Sequence, residues 1–196
     1  VKAAFVLYQP ADKAAIERLV AAARRQPESE QVLARGWHVE MFEDRERHTV
    51  EGLARRMRAA AKVAEPHSFA ALNALQQHML AAADAHTDRV VLEAFIAGYT
   101  AVDDADVRAL LIKLCDLYAL SVIEQNRAWF MEHHRMDATR AKAVSATVDH
   151  LCGELRGAAL ALVEGLGVET SWLNSAMLSG GDDAAGTGAP ASDHAA

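Results

Sequence analysis

Residues 104–132 read DADVRALLIKLCDLYALSVIEQNRAWFME, and this stretch decides the fold class. Apolar side chains surround much of the circumference that a helix here would have, and such a helix is buried on several sides. These apolar positions are Val107, Leu110, Leu111, Leu114, Leu117, Tyr118, Leu120, Val122 and Ile123. We therefore predict one helix over residues 104–132 at the centre of a bundle.

Helical periodicity extends from this stretch toward both ends of the chain. No proline occurs between residues 67 and 189, which favours consecutive helices. The other predicted helices cover residues 12–25, residues 29–64, residues 68–103 with Ser68 as N-cap, and residues 137–166 with Asp137 as N-cap. Gly36 and Gly52 permit a kink or a break in the second helix, and Gly165 and Gly167 end the last one.

Two of these helices carry a clear apolar stripe. On the third helix the stripe is Phe69, Leu72, Leu75, Met79, Ala83, His86 and Val90, widened by Leu80, Val91 and Phe95. On the last helix it is Val144, Val148, Leu151, Leu155, Leu162 and Leu166. Because spacings of three and four residues keep side chains on one helix face, we predict that both stripes pack in the core.

Long helices joined by short loops pack antiparallel, so the predicted fold is an all-α, up-and-down helical bundle. Residues 1–178 are predicted to form a single domain. From residue 179 the composition changes to Gly, Asp, Ala, Thr and Ser, which cannot bury enough apolar surface to fold. We predict a disordered tail over residues 179–196.

The charge balance excludes one class of partner. Lys and Arg number 20 against 27 Asp and Glu, a formal charge of −7, so no nucleic-acid partner is expected. An Arg-rich stretch is interrupted by acidic residues and is predicted to be a solvated or salt-bridged helix face; its basic members are Arg45, Arg47, Arg55, Arg56 and Arg58. No apolar run approaches the ~20 residues that span a membrane, and we find no signal peptide.

Residues with catalytic or metal-binding chemistry form no recognisable motif. Cys115 and Cys152 lie in apolar helical stretches and are predicted to be buried free thiols. A di-iron bundle would need Glu-x-x-His, which is absent, and adjacent His133 and His134 point in different directions on a helix. We assign no catalytic, cofactor-binding or metal-binding residue.

Two polar residues fall on apolar stripes and leave two interpretations open. Glu46 shares a face with Phe42, Leu53 and Met57, and His86 lies in line with Met79. A carboxylate beside an imidazole would shift both pKa values, as in a catalytic pair. The alternative is a core hydrogen bond that fixes helix register, or a contact with a partner.

Several short stretches occur in an order and spacing that point to a family. They are Arg35-Gly36-Trp37 with Glu43 and His48, AHTDRVVLE at 85–93, CDLYALSVI at 115–123 followed by Trp129-Phe130, KAV at 142–144, LCGELR at 151–156 and LVEGLGV at 162–168. Over residues 31–178 the chain thus resembles the C-terminal domain of flavin-dependent acyl-CoA oxidases. The resemblance implies a fold like the C-terminal domain of acyl-CoA dehydrogenases.

The resemblance also implies an activity for the whole enzyme. The family oxidises fatty acyl-CoA to trans-2-enoyl-CoA with FAD and yields hydrogen peroxide, as in fatty-acid β-oxidation. Its catalytic glutamate lies in a Phe-Glu-Gly-x-Asn-Thr stretch. Here Glu51 and Glu164 each precede a glycine but lack the Phe and the Asn-Thr, so no catalytic residue is transferred. After Val168 this chain has Glu169-Thr170 where the family tends to have Pro-Asp.

The resemblance implies a structural, dimer-supporting domain that is not catalytic by itself and holds no cofactor alone. Its implied partner is the flavin- and acyl-CoA-binding region of the oxidase, with self-association or a dimer. The alternative is a free-standing bundle that acts as a protein-interaction subunit. The chain ends Asp193-His194-Ala195-Ala196, without a peroxisomal Ser-Lys-Leu signal, so a cytoplasmic location of bacterial type is predicted.

Overall fold

The computed structural model describes residues 16–17, 31–63, 69–168 and 172, and helices are its regular elements. Within these residues the α-helices are α1 (Arg35–Val63), α2 (Phe69–Thr100), α3 (Ala105–Gln125), α4 (Arg127–Glu132), α5 (Ala138–Leu155) and α6 (Ala159–Gly165). Single 3-10 turns lie at Gln31–Leu33 and Arg156–Ala158. The all-α prediction is confirmed, and none of the helices in the described part is long and apolar enough to cross a membrane.

Some predictions fall on residues that the structure does not describe. The predicted helix over 12–25 lies outside the described residues, except that Ile16 and Glu17 are helical and Ile16 is buried. The proposed N-cap Ser68 and the predicted tail at 179–196 also lie outside them. The predicted second helix is present as α1, which continues through Gly36 and Gly52 without a break.

Antiparallel packing of neighbouring helices confirms the up-and-down bundle. Glu46 of α1 contacts His86 of α2, and Arg35, earlier in α1, lies over the ring of Tyr99, later in α2. The same reversal relates α2 to α3 and α3 to α5. The core between these helices contains Trp37, Val39, Phe42, Leu92, Ile96, Cys115, Leu120, Ile123, Phe130, Val144 and Leu151.

The predicted central helix over 104–132 is two helices, because the structure breaks it at Asn126. The Asn126 side chain donates to the Val122 carbonyl oxygen at 2.9 Å, so it competes with the helical hydrogen bonds. Asp104 caps α3 by accepting from the N–H groups of Asp106 and Val107, both at 2.9 Å. The second half of α3 is buried as predicted, whereas Val107 in its first turn is exposed.

The prediction for the α2 stripe is wrong over most of its length. Phe69 is 83% exposed, Leu72 is 46% exposed, and Met79, Leu80, Ala83 and His86 are exposed as well, whereas Leu75 and Val90 are partly buried. The buried residues of α2 are Ala82, Ala85, Leu92, Glu93 and Ile96, on the sides that α1 and α3 cover. Periodicity identifies an apolar face but does not say which neighbour covers it.

The predicted last helix is also interrupted. Asp137 caps α5 as predicted, accepting from the Arg140 N–H at 2.7 Å. The helix ends at Leu155, a 3-10 turn follows, and α6 is a separate helix, because Gly157 is a poor helix residue. The chain divides here into two compact units, Val1–Arg156 and Gly157–Ala196. Gly167, with a φ of 62°, supplies the predicted stop.

Candidate functional site

The seam between α1 and α2 holds an ion-pair network centred on Glu46. His86 Nδ1 lies 2.6 Å from Glu46 Oε1, and Arg89 donates to both Glu46 and Glu93. Residues 86, 89 and 93 recur at spacings of three and four, so they share the face of α2 that meets α1. The structure therefore brings together Glu46 and His86, the two polar residues that the sequence placed on apolar stripes.

A second ion pair lies beside this network. Arg45 Nη1 lies 2.9 Å from Asp88 Oδ2, and the hydroxyl of Tyr118 on α3 donates to the Asp88 carbonyl oxygen at 3.1 Å. The first part of the Arg-rich stretch is thus salt-bridged, as predicted, while its last three arginines, Arg55, Arg56 and Arg58, are exposed. The polar residues of α1, α2 and α3 converge at this level of the bundle.

The electrostatics of the seam favour a structural role over a catalytic one. Burial alone would raise the pKa of Glu46, but hydrogen bonds from His86 and Arg89 outweigh it and hold that pKa below its ordinary value. A carboxylate that is ionised and saturated with donors is a weak general base. The His86 side chain is 58% exposed, so the contact fixes helix register at the surface and not in the core.

A buried polar cluster joins the 3-10 turn before α1 to α1 and α3. Arg35 donates from Nη2 to Asp116 Oδ1 at 2.7 Å, and its Nη1 lies 3.1 Å from His38 Nδ1. His38 Nε2 lies 2.7 Å from the Val32 carbonyl oxygen. These partners fix the tautomer, because Nε2 must donate to Val32 and Nδ1 must accept from Arg35.

Burial dominates the titration of this cluster. It lowers the pKa of His38 from 6.5 to about 3, assisted by the charge of Arg35, so the imidazole is neutral. Burial also raises the pKa of Asp116, although Arg35 opposes that shift. Sequence reasoning missed this cluster, and the one available signal was a carboxylate inside the apolar run Leu114-Cys115-Asp116-Leu117. Its ion pair joins residues 81 positions apart, a contact that local patterns do not reveal.

One of the two cysteines is buried as predicted, and the other is not. Cys115 is fully buried, as predicted, and burial raises its pKa to about 11, which makes it a poor nucleophile at neutral pH. Cys152 is exposed, so the prediction that it is buried is wrong. Leu151 faces the core, and the next residue on a helix points about 100° away from it.

The histidines near α4 form an aromatic group. The rings of His133 and Trp129 stack with centroids 4.3 Å apart, and His48 of α1 meets His133 edge-on at 4.3 Å. His133 Nδ1 is 2.8 Å from the Trp129 carbonyl oxygen and therefore donates to it. Among the residues that the structure describes, no three His, Cys, Asp or Glu side chains are placed to hold a metal ion.

The remaining carboxylates that the sequence singled out are exposed. They are Glu51 on α1 and Glu164 on α6.

An apolar recess of about 310 Å³ opens between α2 and α3 and is lined by Val91, Ala94, Phe95, Gly98, Tyr99 and Leu111. Its lining suits an apolar side chain and offers little that would bind a charged ligand.

Comparison with known proteins extends what the sequence implied. The family model described as acyl-CoA oxidase matches residues 17–179. An acyl-coenzyme A oxidase-like protein of Mus musculus is 28% identical over 100 residues, 51% of this chain and 16% of the relative. Peroxisomal acyl-coenzyme A oxidase 1 of Phascolarctos cinereus is 28% identical over 138 residues, 70% of this chain and 21% of the relative.

A third relative gives the same result. Acyl-coenzyme A oxidase 1 of Yarrowia lipolytica is 25% identical over 146 residues, 74% of this chain and 21% of the relative. The alignments thus cover 16% to 21% of the length of these relatives. No solved structure shows a significant match. Since the family match includes every helix from α1 to α6, the chain belongs to the acyl-CoA oxidase family.

Proposed function

We propose that this chain is the C-terminal helical domain of a flavin-dependent acyl-CoA oxidase, with a structural and dimer-supporting role. The whole enzyme would convert fatty acyl-CoA to trans-2-enoyl-CoA, with FAD as cofactor and hydrogen peroxide as the second product. The observation that carries this proposal is the family match over residues 17–179, in a chain that aligns with only about a fifth of each relative.

The arginines of the helix seams and the apolar recess do not fit a flavin dinucleotide. Binding its pyrophosphate needs donors that are available, such as helix N-terminal amides or uncompensated cations. Arg35, Arg45 and Arg89 are each paired with a carboxylate, and the recess between α2 and α3 is apolar. We therefore derive no oxidation step from these residues and assign the flavin to the part of the oxidase that this chain does not contain.

The proposed role follows from what the polar residues do in the bundle. The Glu46 network fixes the register of α1 against α2, and the Arg35–Asp116 pair fixes α1 against α3. Such contacts make a rigid scaffold, and a rigid scaffold is what a neighbouring flavin-binding region needs for a precisely held cofactor. The partner is then the flavin- and acyl-CoA-binding region.

The test compares the chain alone with the chain produced together with that region. Flavin absorbance and peroxide release from a long-chain acyl-CoA are measured for both. We expect neither signal from the chain alone and both from the combination. Glu51→Gln and Glu164→Gln, at two exposed carboxylates, should leave peroxide release in the combination unchanged. Stoichiometric flavin and peroxide from the chain alone would show that the active site lies here.

The alternative, a free-standing bundle that binds another protein, is favoured by one observation. Phe69, Leu72 and Leu80 of α2 are exposed, and exposed apolar residues along one helix face mark contact surfaces. The coding sequence immediately upstream of Val1 distinguishes the two functions, because an adjacent flavin domain supports the oxidase domain and an isolated gene supports the subunit.

The cytoplasmic location stays a prediction, to be checked by imaging the tagged full-length product.

A further inference from the structure

His48 on α1 and His133 at the end of α4 form a pair that the proposed function does not use. Their ring centres lie 4.3 Å apart, and their ring planes cross at 77°. Both side chains are half-buried, so small solutes can still reach them. Because imidazole is the commonest metal ligand among the side chains, two imidazoles this close together are placed to share one ion.

Contacts around the end of α4 hold His133 beside α1. Phe130 is buried, and its carbonyl oxygen accepts from the Arg135 N–H at 2.8 Å, which closes the turn that follows α4. The Arg135 side chain is ion-paired with Asp44, which lies one helical turn before His48 on α1. This ion pair keeps the turn after α4 next to the part of α1 that carries His48.

A hydrogen bond leaves His133 with the ring nitrogen that a metal ion needs. Its Nδ1 donates to the Trp129 carbonyl oxygen at 2.8 Å, so in the neutral ring Nε2 keeps a free lone pair. Histidines that bind metals ordinarily have this arrangement, because the hydrogen bond of the second nitrogen orients the ring. The Trp129 ring stacks on His133 with centroids 4.3 Å apart and restricts its rotation further.

His48 has the protonation state that a metal ligand requires. Burial lowers its pKa, the nearby His133 and Arg55 add to this effect, and Asp44 opposes it without reversing it. The imidazole of His48 is therefore neutral at pH 7. A neutral imidazole can donate its lone pair to a metal ion, whereas a protonated one cannot.

We propose that His48 and His133 bind one divalent transition-metal ion of the Cu²⁺, Ni²⁺ and Zn²⁺ class, through Nε2 of His133 and one ring nitrogen of His48. Metal–nitrogen distances of about 2.0–2.1 Å put two ligating rings about 4.5–5 Å apart, so these rings turn and separate by less than about 1 Å. Within the described residues no third His, Cys, Asp or Glu joins them, so water completes the coordination. Imidazole favours these ions over Mg²⁺, and Cu²⁺ binds most tightly.

The first test is a calorimetric titration of the 196-residue chain with Cu²⁺ and, separately, with Mg²⁺, after Cys152→Ala has removed the exposed thiol. We expect one tight Cu²⁺ site and no Mg²⁺ site. His48→Gln or His133→Gln should weaken Cu²⁺ binding by about tenfold or more, because the second imidazole binds an ion that the first already holds. The matched control is His134→Asn, at an exposed neighbour whose φ of 55° Asn tolerates, and it should leave the affinity unchanged.

Trp129 gives a second readout, because its ring stacks on a proposed ligand. Cu²⁺ quenches the fluorescence of an adjacent indole, so we expect part of the tryptophan emission to disappear as the site fills. Trp129→Phe should remove this quenching and leave the calorimetric affinity unchanged. Quenching of the same size in Trp129→Phe would place the ion elsewhere and overturn the proposal.

Electron paramagnetic resonance of bound Cu²⁺ counts the ligating imidazole nitrogens without any substitution, so the proposal stays testable even where a variant fails to fold. We expect two such nitrogens in the unaltered chain and one in His48→Gln or His133→Gln. A single nitrogen in the unaltered chain, or equal Cu²⁺ affinity in the chain and both Gln variants, would overturn the proposal. These measurements need neither flavin nor acyl-CoA, so their outcome is independent of the proposed oxidase function.

Discussion

The two sides of α2 differ less in polarity than the two sides of an ordinary surface helix, because each side carries both apolar and polar residues. The side toward α1 carries the ion pairs of Arg89 and Glu93, and Glu93 is buried. The side toward solvent carries exposed Phe69 and Leu72 together with exposed polar residues such as Gln76 and Thr87. In a self-sufficient domain the apolar face turns inward. The comparison teaches that the bundle is held partly by polar contacts, while large apolar side chains of α2 stay exposed.

The largest expected effect separates the two sides by stability. Leu92→Ala removes a fully buried side chain and should lower the free energy of unfolding by about 2–5 kcal/mol. Leu72→Ala on the solvent-facing side of α2 should change it by less than about 0.5 kcal/mol. Urea unfolding of both variants, at a protein concentration too low for self-association, measures both changes in free energy. Equal losses would mean that Leu72 packs in the core of the isolated chain.

The buried cluster of Arg35, His38 and Asp116 predicts that the free energy of unfolding depends on pH. The unfolded chain protonates His38 near its ordinary pKa of 6.5, whereas the folded chain does so near 3. The stability from neutral His38 is therefore complete above pH 6.5 and is lost as the pH falls toward 3, at about 1.4 kcal/mol per pH unit.

Unfolding measured between pH 7 and pH 5 checks this dependence. His38→Gln should flatten the slope whatever its effect on stability at neutral pH. His150→Gln, which replaces an exposed histidine of α5, is the control and should leave the slope unchanged. An unaltered slope in His38→Gln would assign the pH dependence to other groups.

A smaller effect tests the polar side of α2 directly. Arg89→Met leaves Glu46 and Glu93 without their shared cation and should cost about 1–2 kcal/mol, since Arg89 is partly screened by solvent. Arg58→Met is the control, because Arg58 is exposed and donates to the carbonyl of Ala54 in its own helix. Chemical denaturation measures the free energy of unfolding of both variants. Similar losses would show that the ion pairs between α1 and α2 do not stabilise the fold more than an exposed arginine does.

The smallest expected effect concerns the thiols and leaves the fold intact. Cys152 should react with a thiol reagent in native buffer, whereas Cys115 should react only after unfolding, because it is buried and its pKa is about 11. Mass spectrometry of the labelled protein locates the modified residue. Labelling of Cys115 in native buffer would show that the centre of the bundle opens readily.

Local signals in the sequence predicted the helical class and several helix boundaries. Asp137 as N-cap and Gly167 as a stop depend on contacts within a few residues, and both are present. The breaks at Asn126 and Gly157 were missed, because neither an Asn nor a Gly interrupts every helix, as Gly52 within α1 shows. Local preference is weak and packing often overrides it.

The sequence predicted residues of the candidate site only where a polar residue interrupts an apolar stripe. Glu46 and His86 were noticed because each interrupts an apolar stripe, and they do meet. The Arg35–Asp116 pair was missed because no pattern links two residues that far apart. The orientation of α2 was predicted wrongly because an apolar stripe looks the same in sequence whether it faces the core or the solvent.

The exposed apolar side chains of α2 also affect how long the chain should persist in the cell before it is degraded. Chaperones and proteases recognise extended apolar surface, which is ordinarily a sign of incomplete folding. The folded chain displays large apolar side chains of this kind at Phe69, Leu72 and Leu80. Its half-life in the cell should therefore lengthen under conditions in which another protein covers these side chains.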